Sequence, residues 1–317
     1  MLRPLAWLYA GVVKARNGLY DRGALTVMKA GVPVVSVGNI EAGGTGKTPF
    51  TIALARDLVK GGRHPVIVTR GYRGRLAGVV EVTHKHDFRD VGDEALLLAR
   101  TAGVPVVKSP DRFAGAEFAR RVFKPDVVLL DDGFQHRRLY RDLDIVLVSR
   151  DVSKQHLLPA GPLREPAGSL KRARFVVHTK GAAKTGITAV LRPVGLVDSV
   201  GREYALSLLE GSSVLAVSGI ARPEYFTMTL ERLGARVVPM PFGDHHAFTP
   251  RDVRKIEARL EKFDFVVLTE KDMVRLDPAT GGGRWLALKV VMQVDGMENI
   301  AREIEAIVKQ RGIPRQG

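Results

Sequence analysis

The sequence predicts two α/β lobes, the first of them wound around a parallel sheet. Three observations carry this. Short β-branched runs alternate with helical stretches along most of the chain. A segment dense in proline and glycine interrupts that alternation near residue 160. The length of 317 residues suits about two domains. The lobes are accordingly placed at residues 1–160 and 161–317.

Composition narrows the function classes. With 45% hydrophobic and 26% charged residues, the chain has ample apolar material to offset backbone ordering, which excludes a disordered or collagen-like protein. The absence of cysteine excludes a disulfide scaffold and any cysteine-ligated zinc or iron–sulfur site, and fits the cytosol. No uncharged apolar run reaches the roughly 18 residues that span a bilayer. A net charge of +15 predicts an anionic partner: nucleic acid, nucleotide, or a phosphorylated or membrane-bound substrate.

The elements follow in chain order. The apolar stretch 4–13 ends in Lys14 and Arg16 and carries bulky Trp7 and Tyr9, unlike the small-residue cleavage region of a signal peptide. Read as a helix, Leu5, Leu8, Val12, Ala15 and Leu19 form one stripe, with Arg3 and Lys14 opposite. That stripe suits either packing on the helix's own domain or a membrane-surface helix drawn to anionic lipid. Val34, Val35 and Val37 then mark a strand, a glycine-rich loop follows, and 47–60 reads as a helix. Further strands are expected at 65–69, 104–107, 126–130 and 143–148, with helices at 92–101 and 112–122. After the breaker segment 149–169, strands are expected at 175–178, 214–218, 237–239, 265–269 and 287–292. Helices are expected there at 223–233, 250–261 and 297–309.

The segment Gly38-Asn39-Ile40-Glu41-Ala42-Gly43-Gly44-Thr45-Gly46-Lys47-Thr48 has the ending of a phosphate-binding P-loop, placed after a strand and opening a helix. Gly43, Gly44, Thr45 and Gly46 let backbone N–H groups converge on phosphate oxygens, and the helix N-terminus adds partial positive charge. Lys47 would reach the β- and γ-phosphates, and the Thr48 hydroxyl would ligate Mg²⁺. Glu41 occupies the place of the first glycine in the strict pattern. The acidic partner for the metal is expected at Asp131 and Asp132, which follow four apolar residues. Arg137 and Arg138 lie just beyond and suit phosphate oxygens.

Two further groups are weaker as patterns. Asp93 opens a helix, where an acid commonly stabilises the dipole, and a catalytic base is the sharper alternative. Asp244-His245-His246 falls in a loop, where a solvated pair competes with a role in proton transfer. His84-Lys85-His86 reads as a solvated charge run.

Together these motifs resemble the tetraacyldisaccharide 4′-kinase family, the lipid A kinases of bacteria with an outer membrane. The resemblance rests on the segments at 33–49, 69–73 (TRGYR), 92–94 (GDE), 130–139 (LDDGFQHRRL), 157–166 (LLPAGPLREP), 218–220 (SGI), 244–245 and 268–272 (LTEKD). It implies a P-loop N-terminal lobe, a smaller C-terminal α/β lobe, and transfer of the γ-phosphate of ATP to an acylated glucosamine disaccharide 1-phosphate, giving lipid IVA. It also implies Mg²⁺, peripheral attachment to the cytoplasmic face of the inner membrane, Asp93 as catalytic acid–base group and His245 as its cooperating histidine. Arg70, Tyr72, Gln135, His136 and Arg137 match motif positions near the acceptor substrate. Neither nucleic acid nor an obligate protein partner is expected.

Two other classes compete. A P-loop GTPase would read guanine with Asn/Thr-Lys-x-Asp, whereas Thr269-Glu270-Lys271-Asp272 sets lysine directly beside aspartate. A nucleic-acid-binding module would interleave aromatics with a basic stripe, but aromatics are only 6% and the basic residues are dispersed.

Overall fold

The computed structural model describes residues 3–179, 186–277, 280 and 282–313. The chain forms two compact units: Met1–Val190 with Met292–Gly317, and Leu191–Val291.

The first unit opens with α1 (Arg3–Asp21) and then alternates strand and helix. It runs β1 (Val34–Asn39), α2 (Lys47–Lys60), β2 (Pro65–Thr69), β3 (Val80–Val82), α3 (Phe88–Val91), α4 (Asp93–Thr101), β4 (Val106–Lys108), α5 (Arg112–Phe123), β5 (Val127–Asp131), β6 (Leu143–Val148) and β7 (Phe175–Thr179). The sheet order is β7-β6-β1-β5-β2-β4-β3, parallel except for β3 against β4. All residues of β1, β2, β5 and β6 are buried, because helices cover both faces of a parallel sheet, hence the unbroken apolar runs in the sequence. Asp111 caps α5, accepting from Phe113 N at 3.0 Å and Ala114 N at 3.3 Å.

The expected boundary near 160 differs from the division observed, for a physical reason. β7 pairs in parallel with β6 beyond the proline-rich crossing, so the first sheet continues past it. The chain then enters β8 (Ile187–Asp198), whose first residues pair with β7.

The second unit holds β9 (Glu203–Tyr204), β10 (Ser213–Ser218), α6 (Pro223–Arg232), β11 (Arg236–Pro241), α7 (Pro250–Leu260), β12 (Phe265–Thr269), α8 (Glu270–Met273) and most of β13 (Trp285–Asp295). Its sheet runs β11-β10-β12-β13 in parallel. Two apolar clusters line the sheet, one including Val214, Leu230 and Leu286, the other including Phe248, Ile256 and the fully buried Trp285. Thr249 and Asp252 form a capping box that starts α7, with Pro250 in the first turn.

The chain returns to the first unit in α9 (Met297–Gln310). There Arg63 grips Glu305 with two bonds of 2.8 Å, Arg174 grips Glu303, and Arg311 reaches Asp142 at 2.6 Å.

α1 corrects one of the two readings of its stripe. Leu5, Leu8, Val12 and Leu19 are 55%, 68%, 60% and 44% exposed, so the apolar stripe is not what packs, and Trp7, off the stripe, is 74% exposed. The opposite face docks instead: Tyr9 OH donates to Arg164 O at 2.9 Å, and Asn17 Nδ2 donates to Glu165 at 2.9 Å. Positions 1–2 of the expected helix and the Arg3 side chain lie outside the described residues. No described helix is long and apolar enough to cross a membrane.

Candidate active site

The site gathers at the carboxyl ends of β1 and β5, which are neighbours with Val37 opposite Asp131. The loop from β1 into α2 turns on Gly43 (φ 99°) and Gly46 (φ 89°), conformations that a side chain disfavours. Asn39 Nδ2 donates to Thr45 Oγ1 at 2.9 Å and steadies the loop from within. Close approach explains two more glycines. A Cβ on Gly38 would meet Phe134 Cβ at 2.5 Å, and one on Gly133 would meet Leu130 Cβ at 2.6 Å. The DDGF turn therefore lies flush against the loop's base, and Gln135 Nε2 donates to Asn39 O at 2.8 Å.

Lys47 and Thr48 open α2 and face the two acids. Thr48 Oγ1 donates to Asp131 Oδ2 at 3.3 Å, and Thr51 Oγ1 donates to Asp131 Oδ1 at 3.2 Å. Lys47 Nζ stands 3.4 Å from Asp132 Oδ1, and Arg164 donates to both oxygens of Asp132 at 3.2 and 3.3 Å. The two carboxyls have opposite electrostatics. Burial, with Glu94 and Asp132 nearby, pushes Asp131 up to about 7. Burial also raises Asp132, but Lys47 and Arg164 outweigh it and hold that carboxyl below its usual range. At Asp131 burial and neighbouring carboxylates thus outweigh the pull of Lys47, and hydroxyl and carboxylate oxygens converge there. That hard oxygen pair suits Mg²⁺, which takes one or two carboxylates and completes its shell with phosphates and water. Among the described residues no group of three or more His, Asp or Glu side chains could hold a metal by itself.

The other expected residues are distributed around this centre. Asp93 is buried at the first turn of α4, with Oδ1 accepting from Glu94 N at 2.9 Å. Tyr72 and Arg70 are exposed on the loop after β2, and the Tyr72 carbonyl lies 2.5 Å from where a Cβ on Gly92 would stand, which presses that loop onto the start of α4. His136 is partly buried; desolvation first, then Arg112, lowers its pKa to about 4. Arg137 is engaged elsewhere: it donates to Asn17 O at 3.0 Å and to Asp21 at 2.7 Å, which ties the DGFQHRR turn to α1.

Three residues near the site were not singled out by sequence pattern. Arg112 is buried at the start of α5 and feels the charges of Asp132, Arg70 and Asp131. Glu94 acts on Asp131 from the next motif, and Arg164 clasps Asp132. Glu94 and Arg164 lie within the GDE and LLPAGPLREP motifs; Arg112 has no sequence signal beyond opening the helix expected at 112–122.

The second unit carries His245 in a left-handed conformation (φ 59°), with Lys271 Nζ 3.2 Å from its Nε2. The carboxylate of Asp244 lies 3.9 Å from the same nitrogen, so a cation and an anion both face that edge of the ring. His246 stacks on Phe242 and pairs with Asp252 at 3.0 Å, a structural role. Asp272 is fully buried and accepts from Gly219 N at 3.0 Å, Arg275 at 2.9 Å and Thr269 Oγ1 at 2.6 Å. Every oxygen is thus spent inside the unit, which removes the guanine-reading role that a GTPase would need.

Comparison with known proteins agrees with this arrangement. The family described as tetraacyldisaccharide-1-P 4'-kinase matches residues 1–309. A tetraacyldisaccharide 4'-kinase of Anaeromyxobacter dehalogenans (strain 2CP-C) is 41% identical over 305 residues, covering 87% of this chain and 81% of its own. The protein of that name from Coxiella burnetii (strain CbuK_Q154) is 40% identical over 277 residues, with the same coverage of 87% and 81%. A crystal structure described as the "apo" form of LpxK from Aquifex aeolicus in complex with ATP superposes with a TM-score of 0.83 at 35% identity, covering 97% of this chain and 98% of that one. A phosphate loop facing paired acids, in a chain whose residues 1–309 match the family, places this protein in the tetraacyldisaccharide-1-P 4'-kinase family.

Proposed function

We propose that this chain transfers the γ-phosphate of ATP to the 4′-hydroxyl of a tetraacyldisaccharide 1-phosphate, giving lipid IVA in lipid A biosynthesis. The observation that carries the reading is the pairing of Lys47 and Thr48 with Asp132 and Asp131 at the mouth of the loop. The amides of Gly43, Gly44, Thr45 and Gly46 cradle the phosphates, and Lys47 leaves Asp132 to neutralise the group in transfer. Thr48 and Asp131 would hold Mg²⁺, with Asp132 beside them. When bound, the ion would supply positive charge to offset that of the phosphates.

Asp93 acts as the base that takes the acceptor hydroxyl's proton, and His245 cooperates in handling that proton. Arg70, Tyr72, Gln135 and His136 serve the acceptor, a role supported by motif position, while the bond from Gln135 to Asn39 O holds that turn against the loop. Arg137 supports that surface through α1. The exposed stripe of Leu5, Leu8, Val12 and Leu19, with Trp7 exposed to one side of it, on a protein of net charge +15, supports docking to an anionic bilayer, with the enzyme peripheral on the cytoplasmic face of the inner membrane. The deciding experiment mixes labelled ATP, Mg²⁺ and tetraacylated disaccharide 1-phosphate with purified protein and follows label into lipid. No transfer, or preference for GTP, overturns the reading.

A further inference from the structure

Glu41 stands where the strict loop pattern has glycine, and phosphate chemistry gives a carboxylate there nothing to do. Its side chain is nonetheless fully buried. Oε1 accepts from Ser149 N at 2.6 Å, while Oε2 accepts from Ser149 Oγ at 2.8 Å and Arg150 Nε at 2.9 Å. Ser149 and Arg150 directly follow β6, whose Leu147 is in register with Asn39 of β1. The carboxylate therefore fastens the start of the loop to the end of the neighbouring strand.

The backbone of the same residues is held from another side. Glu41 bridges to Leu163, Ala42 N donates to Pro162 O at 2.7 Å, and Arg164 N donates to Ile40 O at 2.7 Å. Residues 40–42 are thus clamped between 149–150 and 162–164, and the second clamp sets Arg164 against Asp132.

A buried carboxylate in a loop that receives a polyanion costs desolvation and repels the ligand. Three donors, one of them cationic, offset both. The exposed glycines that follow, Gly43 and Gly44, have no side chains to set the loop's path, so the anchored residue before them fixes the direction in which they leave. We propose that Glu41 is a positioning residue for nucleotide binding: through Ser149 and Arg150 it pre-orders the phosphate loop, so that ATP meets amides already in place. This rests on the kinase reading above.

The test measures equilibrium binding of ATP with Mg²⁺, together with kcat and the KM for ATP, in wild type, Glu41→Ala, Glu41→Gln, Arg150→Gln and the Glu41→Gln/Arg150→Gln double variant. Glu41→Ala should weaken ATP binding about tenfold or more, with kcat at saturating ATP within about threefold of wild type. Glu41→Gln and Arg150→Gln should each weaken binding, and the double variant should lose less than the product of the two, since both act through one pair. Wild-type ATP affinity in a folded Glu41→Ala overturns the proposal, as do fully multiplicative losses. If Glu41→Ala does not fold, unaltered affinity in both Glu41→Gln and Arg150→Gln overturns it equally. A wild-type protein that binds no ATP removes the kinase reading itself, and this proposal with it.

Discussion

Thr48 Oγ1 and Asp131 Oδ2 lie 3.3 Å apart although 83 positions separate them in the chain. Each sits where its own element ends or begins, at the mouth of the phosphate loop. The pairing makes Lys47, one residue earlier, face Asp132, one residue later, at 3.4 Å.

Lys47→Ala should lower kcat by about 100-fold or more, because electrostatic stabilisation of the transferred group dominates phosphoryl transfer. Only a partly buried ion pair is lost, so thermal unfolding should change little. Turnover near wild type in the folded variant would refute the assignment.

Asp93→Ala and His245→Ala should each reduce kcat strongly with modest effect on ATP binding. If the two handle one proton, the double variant will be much less than multiplicatively worse. Steady-state kinetics of the four proteins decides; strictly multiplicative losses would make them separate contributors.

Gly38→Ala should destabilise the first unit by about 2 kcal/mol or more, since overpacking of a filled interior is costly. The added methyl meets Phe134 at Cβ, 2.5 Å away, and at backbone N, 2.9 Å away. Urea unfolding measures the loss, and an unchanged midpoint would contradict the close approach.

Acid should weaken the fold in part through His136. Its pKa is lowered from 6.5 to about 4, chiefly by desolvation and then by Arg112, so the folded state refuses a proton that the unfolded chain accepts. The contribution is complete above pH ~6.5 and is lost as pH falls toward ~4. Allowing for solvent screening of a half-buried ring, the loss reaches about 1 kcal/mol by pH 5. Chemical denaturation of wild type and His136→Gln from pH 7.5 to 4.5 should give a shallower slope in the variant; parallel curves would show that His136 does not titrate in this way.

Replacing Trp7, Leu8 and Val12 together by serine should leave the melting temperature nearly unchanged, because all three are more than half exposed. Binding to phosphatidylglycerol vesicles should fall about tenfold or more, with KM for the lipid acceptor rising. A collapsed melting temperature with unchanged vesicle binding would reverse the assignment of that face.

Local chemistry was legible where one segment contains its own signal. The valine run of β1, the glycines and Lys47-Thr48 announce a strand, a phosphate loop and a helix without help from elsewhere. Asp131 and Asp132 could be read from their place after four apolar residues. β8 was missed because its burial does not alternate and Pro193 interrupts its run, so no period appears. Glu41, Glu94 and Arg112 owe their surroundings to residues distant in sequence or to charge across space, which no local pattern encodes. The direction of the α1 stripe was ambiguous for a similar reason: only tertiary bonds from Tyr9 and Asn17 decide which face turns inward.

The return of α9 has a consequence for biosynthesis. Its arginine pairs join residues 242, 129 and 169 positions apart, and all three close the first unit. A nascent chain folds its N-terminal portions as they emerge, yet here the last helix of the first unit is made only after the whole second unit. Until then Glu305 cannot reach Arg63, whose remaining charged neighbour is Asp126 at 3.9 Å. Translation halted before residue 297 therefore leaves the first unit with its phosphate loop but without the helix that carries Glu303 and Glu305 to their arginines.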